Sequence, residues 1–236
     1  MVRALMGLPT PLPEGSFQHL HWKVSVDVAT RRLHATATYT VLQTPSSTDE
    51  GCLALAVEGL SIESVAVNDD ATEFKVIEMS PTNDQLHSTL AIAVPKQVVA
   101  PYRYVHLFLD EHDVYPGSVS SVAVTYHLAK PSLACHWLDS SWLITQSYPS
   151  YAPSLLPVPP QLCMKFTYTA QVTTSALATV LMSASLTGIV IVLPQNWTFV
   201  YDVPNRVIDR FFGLVFISHK YYFCTCESFR LIAVEY

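Results

Sequence analysis

His19-Leu20-His21-Trp22-Lys23-Val24-Ser25-Val26-Asp27-Val28, then Arg31-Arg32, then Leu33-His34-Ala35-Thr36-Ala37-Thr38-Tyr39-Thr40-Val41-Leu42 is the stretch on which the fold turns. Leu20, Trp22, Val24 and Val26 alternate with polar neighbours, and Leu33, Ala35, Ala37, Tyr39 and Val41 do the same in the second half. A period of two belongs to a strand, whose successive side chains point to opposite faces, and both halves are rich in β-branched residues. The stretch predicts a β-hairpin around the double-arginine turn.

Outward from it the same grammar repeats. Thr44-Pro45-Ser46-Ser47-Thr48-Asp49-Glu50-Gly51 is a polar turn cluster, followed by Cys52-Leu53-Ala54-Leu55-Ala56-Val57 and Ser61-Ile62-Glu63-Ser64-Val65-Ala66-Val67 before the turn Asn68-Asp69-Asp70. Strand patterns recur at residues 73–79, 89–94, 102–109 and 120–127, with breakers such as Pro81-Thr82-Asn83-Asp84 and Tyr115-Pro116-Gly117-Ser118 between them. Many short strands, with no long run at the helical period, predict an all-β antiparallel sandwich or barrel-like sheet. Pro149, Pro153, Pro157, Pro159 and Pro160 then exclude regular structure and demand a pinned, extended loop of functional or interfacial kind. Three more strands are expected after it, at 164–172, 178–184, and either 188–193 or 198–201.

Composition narrows the function classes. The chain has 236 residues, enough for one large β domain with a real core. Half of it is hydrophobic and only 14% is charged, which excludes disorder and implies surface meant to be covered. A formal charge of −6, with 13 scattered Lys and Arg, argues against nucleic acid as a partner. Five cysteines, an odd number without scaffold spacing, suit a reducing compartment, and the proline-broken start is not a signal peptide, so a cytoplasmic location is expected. Asn196-Trp197-Thr198 is a glycosylation sequon in form, without meaning in the cytosol.

From Phe166 to Tyr201 there is no charged residue, and residues 176–193 have about the minimum length of a membrane helix. Frequent Thr and Ser, Gly188 in the middle, and the alternation of Phe166-Thr167-Tyr168-Thr169-Ala170-Gln171-Val172 favour buried strands over a membrane span.

A zinc peptidase site needs two His one turn apart on a helix with Glu beside the first, and none of the nine His is followed by Glu. His19 and His21 have strand spacing and would share one face, a pair that needs a third ligand to hold a metal and is more often structural. Cys224-Thr225-Cys226 with His219 lacks the second ligand pair of structural zinc. Glu111-His112-Asp113 sits in an expected turn, where solvated charges belong. No phosphate-cradling Gly-rich loop and no Gly-x-Ser-x-Gly elbow occur. The residues alone assign no catalytic residue and no metal ligand.

Four ordered segments carry a family resemblance. They are residues 19–27 with Arg31-Arg32-Leu33 and Ala37-Thr38-Tyr39-Thr40-Val41; Leu53-Ala54-Leu55 leading to Leu60-Ser61-Ile62-Glu63-Ser64-Val65-Ala66-Val67-Asn68; residues 132–138; and Lys165-Phe166-Thr167-Tyr168-Thr169-Ala170-Gln171-Val172 with Ala178-Thr179-Val180-Leu181-Met182-Ser183-Ala184. In this order they resemble the amino-terminal domain of the zinc aminopeptidases of the leukotriene A4 hydrolase and aminopeptidase B type (peptidase family M1). The resemblance implies a saddle-like antiparallel β-sandwich that packs on a thermolysin-like zinc domain and helps wall its substrate cleft.

It also implies two substrate-binding positions. Gln146 falls on a family Gln that contacts substrate, whereas Tyr148 stands where the family has a second Gln. Leu156-Pro157 matches the family loop, but Val158, Pro159 and Pro160 replace its polar residues. Phe199-Val200-Tyr201-Asp202-Val203-Pro204 is similar to the family's last strand and proline, and agreement fades after Asn205. The expected organisation is thus a tail 1–18, a β domain 19–204 and a divergent segment 205–236, pointing to truncation or an altered reading of the gene. The Gly-x-Met-Glu-Asn and His-Glu-x-x-His motifs are absent, so no cofactor is expected in this chain, zinc belonging to the full-length family. The expected partner is a zinc catalytic domain in cis or in trans. The rival reading is a stand-alone module that binds a peptide or protein through its exposed sheet and the 149–160 loop.

Overall fold

The computed structural model describes residues 17–42, 52–78, 103–108, 119–128, 132–138, 142–147, 151–159, 165–175, 178–193, 196–208, 214–218, 221–224 and 232–235. In chain order the strands are β1 (Phe17–Asp27), β2 (Arg32–Leu42), β3 (Cys52–Val57), β4 (Leu60–Val67), β5 (Asp70–Ala71), β6 (Phe74–Glu78), β7 (Arg103–Phe108) and β8 (Val119–Leu128). Then come β9 (Cys135–Trp137), β10 (Trp142–Thr145), β11 (Lys165–Ser175), β12 (Ala178–Met182), β13 (Ser185–Leu193), β14 (Asn196–Ile208), β15 (Leu214–Ser218), β16 (Tyr221–Cys224) and β17 (Ile232–Glu235). The strand expected at 89–94 lies outside the described residues.

The opening hairpin forms as its alternation dictates. β1 and β2 pair antiparallel from Leu20 opposite Tyr39 to Asp27 opposite Arg32. Phe17, Leu20, Trp22, Val24 and Val26 are buried, as are Leu33, Ala35, Ala37, Tyr39 and Val41. The turn is set by Asp27, whose carboxylate accepts hydrogen bonds from the Thr30 hydroxyl (2.6 Å) and the Thr30 N–H (3.1 Å), and Arg31 closes it at φ 54°. Those bonds from Thr30 hold the Asp27 carboxyl below its ordinary value. Asn68 and Asp69 both have positive φ, the backbone of a tight hairpin turn, and Asn68 Oδ1 accepts from the Ser121 N–H at 2.9 Å.

Eight strands make the main sheet, in the order β13-β14-β11-β1-β2-β8-β4-β5. It departs from the all-antiparallel expectation at its centre, where β1 and β11 run parallel from His19 opposite Thr167 to Ser25 opposite Thr173. One face of this sheet is apolar, and its side chains share a single buried cluster with Leu53 and Leu55 of the β3-β7-β6 sheet and with Cys135, Leu143 and Val180 of the β12-β15-β10-β9 sheet. Tyrosines cross this core: Tyr201 OH donates to the Val180 carbonyl (2.6 Å) and Tyr168 OH to that of Ser183 (2.8 Å).

Elsewhere the chain holds more strand than its alternation announces. The regions 188–193 and 198–201, set out as alternatives, are both strands and form the β13-β14 hairpin. β9 and β10 are too short for alternation to show, and neither was expected. The described part of the candidate span 176–193 is two strands in different sheets, and among the described residues no helix is long and apolar enough to cross a membrane. The boundary after Pro204 falls inside β14, and β15 sits between β12 and β10.

The opposite face of the main sheet is polar. There the register of β4 against β8 shifts between Ile62 and Ser64, leaving Glu63 as an extra, outward residue. His34 Nε2 and His127 Nδ1 donate to its two carboxylate oxygens at 3.0 and 2.7 Å, which holds the Glu63 carboxyl below its ordinary value.

Candidate functional site

The resemblance places substrate contact just after β10, and the local chain explains how that position is held. β10 pairs with β9 through Leu143 opposite Trp137 and Thr145 opposite Cys135. The Gln146 N–H then donates to the Ala134 carbonyl at 2.8 Å, so the pairing runs one residue past the strand and the Gln146 side chain is exposed. Tyr148 lies outside the described residues. Ser147 is buried, and its carbonyl accepts the Tyr151 N–H at 2.9 Å, which starts the proline-rich segment.

That segment is less irregular than its prolines suggest, because Ala152–Ser154 form a short 3-10 turn with a proline in its first residues, where a fixed φ and a missing N–H cost nothing. Residues 152–159 are all buried. Their backbone is held at successive points. The Pro153 carbonyl accepts from the Glu58 N–H (2.8 Å), the Leu155 carbonyl from Tyr126 OH (2.9 Å), the Ser154 carbonyl from Ser132 Oγ, and the Pro157 carbonyl from Tyr39 OH. Ala56 and Val158 exchange a two-way backbone bridge at 2.7 and 3.0 Å. Trp22 Nε1 donates to Tyr126 OH at 2.9 Å, so the innermost anchor is tied to the middle of the main sheet. Burial pushes the Tyr126 hydroxyl far above its ordinary value, leaving it a neutral donor at any physiological pH.

Sequence reasoning named Gln146 by resemblance and asked for a pinned loop, and it missed the pins: Tyr39, Tyr126, Ser132 and Glu58. Among the described residues of that loop, 152–159 are buried and only Tyr151 is partly exposed. The arrangement presents an exposed amide on a rigid rim.

The described residues do not fit a zinc ion. No group of three or more His, Cys, Asp or Glu among them could hold a metal. His19 and His21 sit side by side on β1 as expected, but their rings hydrogen-bond to the hydroxyls of Thr167 (2.7 Å) and Thr169 (3.1 and 2.7 Å) on β11. Cys135 is buried, and burial pushes its thiol up to about 11, which leaves it unreactive.

The two half-buried imidazoles give a pH signature. Burial lowers both below the ordinary 6.5, opposed at His19 by Asp202 and reinforced at His21 by Lys23 and His19. As pH falls, the unfolded chain therefore takes up these protons first, and stability is lost between the ordinary value and the lower folded one. Replacing both by Gln should flatten the decline of the urea midpoint from neutral into mildly acid solution. An unchanged slope would show that the rings are not its source.

The fold defines a class, an all-β module with the architecture of the amino-terminal region of leukotriene A4 hydrolase and M1 zinc metallopeptidases. The solved structures that share it are specific. Yeast leukotriene A4 hydrolase in complex with bestatin is similar over 89% of this chain and 29% of that enzyme, with TM-score 0.67 and 14% identity. A zinc metallopeptidase of the M1 type from Deinococcus radiodurans is similar over 92% of this chain and 46% of its own, with TM-score 0.64 and 14% identity. The chain thus spans less than half the length of either. No family model and no curated protein sequence matches it.

Proposed function

We propose that the chain is the non-catalytic amino-terminal β domain of a leukotriene A4 hydrolase-like zinc aminopeptidase, walling the substrate cleft of a catalytic domain supplied in cis or in trans. The observation that carries the reading is the likeness over 89% of this chain to part of a yeast leukotriene A4 hydrolase. The buried proline segment supports it, since it gives Gln146 the rigid rim that a cleft wall requires. Gln146 is the substrate-facing residue in this reading, with Tyr148 beside it in sequence. The buried free thiol of Cys135 agrees with a cytoplasmic location.

The purified chain should hold no stoichiometric zinc and show no turnover of aminoacyl amides, with or without added zinc. It should bind a separately produced zinc catalytic domain of the leukotriene A4 hydrolase type, and Gln146→Ala should change that pair's KM for peptides more than its kcat. Stoichiometric zinc with turnover in the chain alone would overturn the proposal. Failure to bind the zinc domain, with binding of free peptides instead, would favour the stand-alone module.

A further inference from the structure

β13 is an edge of the main sheet: β14 pairs along one side of it, and among the described residues no strand pairs along the other. Its register shifts between Leu186 and Gly188 and again between Ile191 and Leu193, so the stretch from Gly188 to Ile191 is regular. Leu186, Ile189, Val190 and Ile191 are exposed, Ile191 to 66%. Proteins usually blunt such an edge with a charge, a proline or a bulge within it. Here the bulges bracket the regular stretch instead of interrupting it, and no charged residue occurs between Phe166 and Tyr201. Among the described residues this leaves a row of open backbone N–H and C=O groups flanked by apolar side chains, which recognises one chemistry, another extended strand.

The sequence of the edge selects which strand. Leu186-Thr187-Gly188-Ile189-Val190-Ile191-Val192-Leu193 is close to self-complementary when a second copy runs antiparallel about Val190. That register sets Val190 opposite Val190 and Ile189 opposite Ile191, the β-branched cross-strand pairs that stabilise sheets. Electrostatics point the same way. Two copies each carrying a formal −6 repel wherever their acidic surfaces meet, and this edge is free of charge. The flank also gains cover, because Ile189 and Ile191 lie opposite Phe199 and Trp197 where the core thins. A two-fold contact of one edge with itself closes and cannot propagate into a fibre.

We propose that β13 is a homodimerisation edge, joining the main sheets of two copies of this chain into one continuous sheet through an antiparallel β13–β13 pair across a two-fold axis at Val190. Light scattering on the size-fractionated full chain should show a monomer giving way to a dimer as concentration rises. Ile191→Lys, which sets two like charges near the axis, should weaken dimerisation about tenfold or more. Leu138→Lys, at a 64% exposed apolar position away from this edge, should leave it unchanged. Val190→Cys, a conservative change, should give on oxidation a dimer linked through position 190, identified by peptide mapping against the five native cysteines. A chain that stays monomeric throughout, or a dimer indifferent to Ile191→Lys and without the 190 crosslink, would overturn the proposal. So would a monomer whose β13 amides become protected only when a zinc catalytic domain is added.

Discussion

Truncating Trp22 to alanine is expected to destabilise the chain by about 3–5 kcal/mol, the range for removing a large aromatic side chain from a core that cannot collapse to fill the space. Trp22 is 0% exposed in β1, at the centre of the main sheet, between β11 and β2, which are its hydrogen-bonded neighbours. The truncation removes apolar contact and also the donor to Tyr126 OH. Against a total stability of about 5–15 kcal/mol, a loss of this size leaves a domain close to unfolding at body temperature. Urea denaturation followed by tryptophan fluorescence from Trp137, Trp142 and Trp197 measures it. A change below about 1 kcal/mol would mean that the sheet's centre is not packed as described.

Tyr126→Phe is the second large effect and the more informative one. The ring stays, so packing is preserved, and only the hydroxyl that accepts from Trp22 and donates to the Leu155 carbonyl is lost. The Leu155 carbonyl loses this partner at about 1–3 kcal/mol for a group left without compensation, and Trp22, which keeps a further interaction, loses less, so about 2–4 kcal/mol is expected. The damage should be local as well as global. Backbone amides of residues 154–159 should exchange faster with solvent, and the loop should become a preferred site of proteolysis, while the β1-β2 hairpin keeps its protection. Because Trp22 and Tyr126 share one bond, Trp22→Ala combined with Tyr126→Phe should cost less than the sum of the two. Strict additivity would mean that the two side chains do not act through each other.

The fold was legible where one strand alone bears the signal. The hairpin could be read because eleven-residue strands give enough positions for alternation to stand out. β9 and β10 could not, with three and four residues. The parallel pairing of β1 with β11 was hidden for a different reason: nothing in the pattern of Thr167 or Thr169 names His19 or His21 as a neighbour. The candidate site was legible only in part. Gln146 came from family resemblance, not from its own chemistry. The anchors of the proline segment escaped because each bond ends on a backbone carbonyl, which carries no residue identity, and Tyr39 is 118 positions from the carbonyl it holds.

The parallel pair at the middle of the sheet also constrains the order of events during synthesis. β1 is finished early, but its neighbour on one side is β11, and His19 and Thr167 are separated by 148 residues. Closing so long a loop is entropically unfavourable and slow compared with forming a hairpin. On the ribosome, β1 and β2 must wait as an incomplete sheet with one apolar face and one open edge until residues 165–175 emerge. During that interval the nascent chain is a natural client for chaperones that bind exposed apolar strands.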